Sequence, residues 1–327
     1  MKQKKLFFII GILLTGFLLW RTDFQQVAET LRSLSMKVVL LLLFLQLLNR
    51  GLVAYQWQLL VKSQDASVTW SQMWYLNMAG TFFEGITPTA KFGSEGFKVW
   101  WLKNHLGIDT TDGTALLLLQ KIISGCGFAL IVTVTMIISA FHPSRASLGN
   151  LMRAVNLTHL TWIIAVLLTL LVIVWVVPRK LSGFHQFTQW IQETGNKLHH
   201  DTGRVFTNPA ELLMHGGISL SIWLNYALQA WIAAWGMGLA IGFWAMAGAV
   251  YLAYTAAMIP LMPGGAGTFE GAMIFVLTGY GLAFSQALVV TLLIRTTTFW
   301  ISFSISGLMV GLTESFVGFR KLTVEQQ

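Results

Sequence analysis

From Thr114 to Phe141 the chain carries a single charge, Lys121, and comparable apolar runs recur at Leu6–Trp20, Val38–Val61, Thr161–Val177, Glu211–Trp235 and Phe284–Gly311. Runs that approach or exceed about 20 residues match the hydrocarbon thickness of a bilayer. Within hydrocarbon every backbone amide needs a partner inside the protein, which leaves helices or a closed barrel as the only spanning structures. Segments this long read as helices. With 55% hydrophobic and 10% charged residues, the chain lies outside soluble norms. The reading is an all-α polytopic membrane protein, one transmembrane domain over residues 1–327. Lys2, Lys4 and Lys5 precede the first run, but no small-residue cleavage signal follows it, so it reads as an uncleaved span.

One stretch breaks the helical pattern where breaks are costly. Ala257–Gly271 reads AMIPLMPGGAGTFEG, between Phe243–Ile259 and Thr268–Gly279. Pro260 and Pro263 cannot continue a helix, and Gly264, Gly265 and Gly267 leave the backbone uncovered. Irregular backbone at membrane depth needs surrounding protein or a wet cavity. Glu270 follows in the first turn of the next helix, where a negative charge suits the dipole. A weaker copy, Thr87–Gly96, sits between Gln72–Ile86 and Gly93–His105. Pro88 precedes Glu95-Gly96 by the same seven positions that separate Pro263 from Glu270-Gly271. Asn49 aligns with Asn225 and Lys121 with Arg295, all within one residue of an offset of 175. This order of polar residues argues for an internal duplication. Its parts are repeat one at about 38–141, a linker span and amphipathic helix at 159–209, and repeat two at about 211–316.

These residues carry a resemblance. Pro263-Gly264-Gly265, Glu270-Gly271, the Gly281 turn and Arg295 resemble the membrane region of the lysylphosphatidylglycerol synthase/flippase family. The first copy, Pro88 followed by Gly93-Ser94-Glu95-Gly96-Phe97-Lys98, looks like that family's P…GGE-x-x-R stretch, with Ser94 for the second glycine and Lys98 for the arginine. The resemblance implies a polytopic lipid-handling protein and does not fix the lipid. Aminoacyl-transferring members carry a large soluble domain after the membrane part; this sequence ends soon after its last span, so the expectation is no lysyl transfer by this chain.

Basic residues orient the spans. With the N-terminus inside and each broken pair entering and leaving on one side, eleven Lys/Arg fall inside, five outside and five in or near the membrane. The chain is then a cytoplasmic-membrane protein with both termini cytoplasmic, six full spans and two re-entrant hairpins, in inverted repeats of the kind transporters use. Full crossing by each broken pair is the alternative, with a poorer Lys/Arg balance. Ser182–Leu198 spaces Phe184, Phe187, Trp190, Ile191 and Leu198 as an amphipathic helix on the inner surface.

The candidate substrate-binding residues are Glu95, Glu270, Arg50, Arg295, Lys98, Lys121, Asn49, Asn225, Pro88, Pro263, Gly264 and Gly265. An ionisable group inside a membrane costs roughly 2.5–3.5 kcal/mol on insertion scales, so it has a task or a partner. Two roles stand for the glutamates. They face a shared cavity and bind a headgroup amine or coupling ion, or they close each hairpin as ion pairs, Glu270 with Arg295 and Glu95 with Lys121 or Lys98. Arg50 and Arg295 offer the planar fork that matches phosphate. Lys121 has the alternative of snorkelling to the interface.

No cofactor or metal is expected. The lone Cys126 excludes an intrachain disulfide and reads as a packed helix residue, and His199-His200-Asp201 reads as part of a polar inner loop without a third ligand. Motifs of phosphate-binding, zinc-protease and serine-hydrolase type are absent. The net charge of +8 points to anionic or phosphate-bearing membrane lipids rather than nucleic acid. Three functions fit: a lipid translocator moving a phospholipid or polyprenyl-linked lipid between leaflets, a membrane-embedded transferase or accessory subunit acting on a lipid or lipid-linked glycan, and a scaffold for a lipid-synthesis enzyme. Homo-oligomerisation is left open.

Overall fold

A computed structural model describes residues 34–64, 66–87, 92–141, 184–258 and 263–324. The Leu6–Trp20 and Thr161–Val177 spans, Pro88 and Pro260 lie outside them. The described residues form helices without strands: α1 (Met36–Lys62), α2 (Trp70–Ile86), α3 (Phe92–Leu106), α4 (Thr110–Phe141), α5 (Phe184–Thr207), α6 (Pro209–Gly236), α7 (Phe243–Ala257), α8 (Thr268–Gly279), α9 (Phe284–Arg295) and α10 (Ile301–Val324). A one-turn 3-10 segment, Pro263–Gly265, precedes α8, and a π turn, Thr296–Trp300, joins α9 to α10. Among the described residues, α1, Thr110–Ile138 of α4 and Phe284–Thr313 are long and apolar enough to cross a membrane.

Local chemistry sets the helix ends. The Ser35 hydroxyl accepts from the Lys37 amide at 3.3 Å and starts α1. Thr69 and Gln72 cap each other's backbone at α2. Asn208 caps α6, with Pro209 at its first position, where a missing N–H costs nothing. Glu270 replaces a side-chain cap at α8 by accepting from the Gly267 amide at 2.6 Å. Gly264, Gly265 and Gly267 all have positive φ. A Cβ on Gly265 would lie 3.1 Å from the Ala257 carbonyl oxygen, so only glycine lets the chain turn back against α7.

Two hydrophobic clusters fill the two halves. One gathers Trp57, Leu60, Met73, Leu76, Leu102 and Leu119 from α1 to α4. The other gathers Ala227, Ala234, Ala247, Ala253, Phe269 and Leu293 from α6 to α9, and takes Leu42 from α1. The small residues on α6 and α7 let those backbones approach closely, as membrane helices require in place of a hydrophobic driving force. Contacts run in parallel series. α1 packs on α2, α2 on α3 and α3 on α4; α6 packs on α7, α7 on α8 and α8 on α9. Between the series α1 meets α6, α4 meets α7, and α10 returns to α2.

The Val38–Val61 span is one unbroken helix, with Asn49 buried and Arg50 half-buried. Other expectations change. Residues expected in a polar loop, His199-His200-Asp201, belong to α5, which continues to Thr207. Asp201 is buried and accepts from Gln64 at the end of α1 (2.9 Å), and Lys197 pairs with Asp112 at the start of α4. These contacts dock α5 on α1 and α4, with Val205 buried and Leu198 packed against the first hydrophobic cluster, while Ile191 is exposed. Cys126 is exposed on α4 rather than packed.

Candidate functional site

A cavity of about 330 Å3 lies where the two helix series meet. Seven expected site residues line it: Arg50, Glu95, Lys98, Lys121, Gly264, Gly265 and Arg295. Arg50 falls at the centre of the 27-residue α1; Lys121 and Arg295 each lie eleven residues into apolar stretches of 29 and 30 residues. At a rise of about 1.5 Å per residue these cations sit roughly 16–21 Å along their helices, near the middle of each.

Both expected ion pairs form. Arg295 Nε donates to Glu270 Oε1 at 2.8 Å, and its Nη2 donates to the Gly264 carbonyl at 2.7 Å. The guanidinium lies between the rings of Phe269 and Phe299, 4.9 and 4.6 Å from their centroids. Arg295 is 4% exposed and Glu270 9%, so this pair is a buried clamp on the glycine turn. Glu270 stands behind Arg295 rather than on the cavity wall. In the first series Lys121 Nζ meets Glu95 Oε1 at 2.5 Å. That pair is more open: the lysine side chain is 41% exposed, and with half-exposed Met258 it marks where the cavity reaches the surface. Lys121 binds Glu95 instead of snorkelling.

The remaining two cations have no carboxylate within ion-pair distance among the described residues. Arg50 donates to the Thr81 hydroxyl (3.2 Å) and the Thr298 carbonyl (3.1 Å), and its Nε is buried without a partner. Lys98 is 8% exposed, with Nζ 5.0 Å from the Trp57 ring centroid. Its stem crosses Gly80, where a Cβ would come within 2.9 Å of Lys98 Cε. The Thr298 carbonyl is free to accept because it lies in the π turn. The hydroxyls of Thr296, Thr297 and Thr298 bond back to carbonyls of the preceding turn, which loosens the helix there. A π turn inside an α-helix is a frequent mark of a functional position.

Asn49 and Asn225 are buried but line no part of the cavity. Asn225 accepts from Gln229 at 2.6 Å, and neither side-chain atom of Asn49 has a partner among the described residues. Pro263 opens the 3-10 turn. Reading the sequence missed Glu84, Thr81, Ser94, Tyr226, Tyr254 and Thr298, all on the cavity wall. Glu84 was findable, as a carboxylate in the apolar run before Pro88; the tyrosines and threonines carry no such signal. No group of three or more His, Cys, Asp or Glu side chains that could hold a metal exists among the described residues.

The family model described as the lysylphosphatidylglycerol synthase TM region matches residues 7–306. A UPF0104 membrane protein of Methanothermobacter thermautotrophicus is 20% identical over 313 residues, covering 92% of this chain and 93% of that protein.

Proposed function

Because the chain belongs to the lysylphosphatidylglycerol synthase transmembrane-region family, we propose that it is a lipid translocator of the cytoplasmic membrane, moving a phosphate-bearing lipid between leaflets. The observation that carries this reading is the pair Arg50 and Lys98, two cations near mid-helix on one cavity with no carboxylate within ion-pair distance among the described residues. Such charges are costly in hydrocarbon and call for an anionic ligand. The cavity has room for a headgroup and not for acyl chains, which would stay in the bilayer while the headgroup passes. Leaflet exchange of fluorescent phospholipids in proteoliposomes, followed by dithionite quenching, tests the reading. Exchange well above protein-free vesicles, with no change in the lipid's mass, is the expected result. A changed lipid mass would favour a transferase, and background exchange would remove the translocator.

We also propose that the two series are inverted repeats whose α2–α3 and α7–α8 pairs are re-entrant hairpins, with both termini cytoplasmic. Matching element order, matching contacts and the two ion pairs at equivalent positions support this arrangement. It puts the α8–α9 turn outside. A cysteine at exposed Ala283, in a Cys126→Ser background, should react with an impermeant maleimide from the outer face. Labelling from the cytoplasmic face alone would reverse the topology.

A further inference from the structure

Glu84 is the cavity carboxylate that the ion pairs leave over. Glu95 is held by Lys121 and Glu270 by Arg295, whereas Glu84, half-buried on α2, has no cation within ion-pair distance among the described residues. It stands one turn from two positions that the free cations touch. Thr81, three residues earlier, takes Arg50 Nη1, and Gly80, four residues earlier, lies under Lys98. Residues three and four apart share a helix face, roughly 5 Å apart. The surface therefore presents two cations and, about one turn away, a carboxylate. That spacing is the reach of a phosphate joined to an ammonium by two carbons.

Resting on the translocator reading and narrowing it, we infer that the cavity selects a zwitterionic phospholipid with a primary amine: the phosphodiester on Arg50 and Lys98, the ammonium on Glu84. A primary ammonium has N–H groups for charge-assisted bonds to a carboxylate. A quaternary ammonium has none and would turn to aromatic faces instead. Of the rings on the cavity wall, Phe299 already covers Arg295, and Trp223, Tyr226 and Tyr254 pack on one another, tilted or edge-on, on α6 and α7. A pyrophosphate-linked lipid, whose two negative charges would match the two cations, would still face Glu84 with no cation to offer it.

The test is calorimetric titration of the detergent-purified full chain with dihexanoyl phospholipids bearing ethanolamine, choline or glycerol headgroups. The ethanolamine lipid should bind about tenfold more tightly than the other two. Glu84→Gln, which keeps shape and removes charge, should bring its affinity down to the choline level. Glu84→Asp should retain part of the preference and guards against a folding effect of the amide. Equal binding of ethanolamine and choline lipids, tighter binding of either the choline or the glycerol lipid, no binding of any, or an unchanged ranking in Glu84→Gln would each overturn the assignment. The two readings separate cleanly. Leaflet exchange without headgroup preference would remove the selectivity and leave translocation standing; selective binding without exchange would do the reverse.

Discussion

Replacing Arg295 by methionine should cost the fold about 3–5 kcal/mol, read as a large fall in the thermal midpoint and in the yield of the detergent-purified chain. The size follows from what would be stranded. Glu270 is 9% exposed and its Oε1 would lose the guanidinium, leaving only the Gly267 amide on Oε2. The Gly264 carbonyl would lose its donor at the same time, and the Phe269 and Phe299 rings would lose the cation between them. Glu270→Gln should be milder, because an amide oxygen can still cap the Gly267 N–H. The double change, Glu270→Gln with Arg295→Met, removes the stranded charge and should recover much of the stability. It should remain inactive in leaflet exchange, since Arg295 also forms cavity wall and holds the glycine turn. Recovery of both folding and exchange would make the pair purely structural. A folded, fully active Glu270→Gln single variant would remove Glu270 from the site.

The equivalent pair in the first series sets the contrast. Lys121 and Glu95 sit at matching positions, but the lysine side chain is 41% exposed against 5% for Arg295. An open pair of this kind is worth about 0–1 kcal/mol, so the two pairs differ mainly in burial. The asymmetry leaves the first series as the wet side of the cavity.

How much of this was legible in the sequence depends on what kind of signal each residue leaves. Pro263, Gly264, Gly265 and Gly267 announce a break because their backbone chemistry forbids or frees conformations whatever surrounds them. Glu95, Glu270, Lys121 and Arg295 announce themselves because charge in apolar runs is expensive; the pairing of Glu270 with Arg295 was expected, and of the two partners open to Glu95 the structure has Lys121. The π turn at Thr296–Trp300 was not legible. Its threonines bond locally, but the turn also serves Gln46 and Arg50 of α1, a tertiary relation. Tyr226 and Tyr254 read as ordinary membrane-helix aromatics, and only the fold turns them toward the cavity. Asn49 and Arg50 stand out as polar residues in an apolar run, but only the fold shows that Arg50 reaches the cavity and Asn49 does not. His199 to Asp201 read as loop because all three are polar, whereas they lie within α5, where Asp201 is satisfied by Gln64.

Neutralising Arg50 and Lys98 should abolish transport while sparing the fold, and this is the largest functional effect expected of any substitution outside the buried clamp. Arg50→Gln leaves both of its present partners satisfied. The Thr298 carbonyl keeps the Gln46 Nε2 donor at 2.9 Å, and the Thr81 hydroxyl keeps its bond to the Asn77 carbonyl at 3.0 Å. Lys98→Met keeps the stem that packs across Gly80 and loses only the ammonium over Trp57, worth about 0.5–2 kcal/mol. Neither change strands a buried carboxylate, in contrast to Arg295→Met. A charge-assisted hydrogen bond to a phosphate contributes about 1.5–3 kcal/mol. At about 1.4 kcal/mol per factor of ten, each single variant should lose roughly ten- to a hundredfold in leaflet exchange, and the double variant should approach protein-free vesicles. Arg50→Lys should recover only part of the rate, because an ammonium keeps the charge but not the fork. Thermal midpoints close to wild type, measured on the same preparations, would show that the loss is one of ligand binding. Exchange at the wild-type rate in the double variant would remove both cations from the translocation path and, with them, the observation on which the lipid-translocator reading rests.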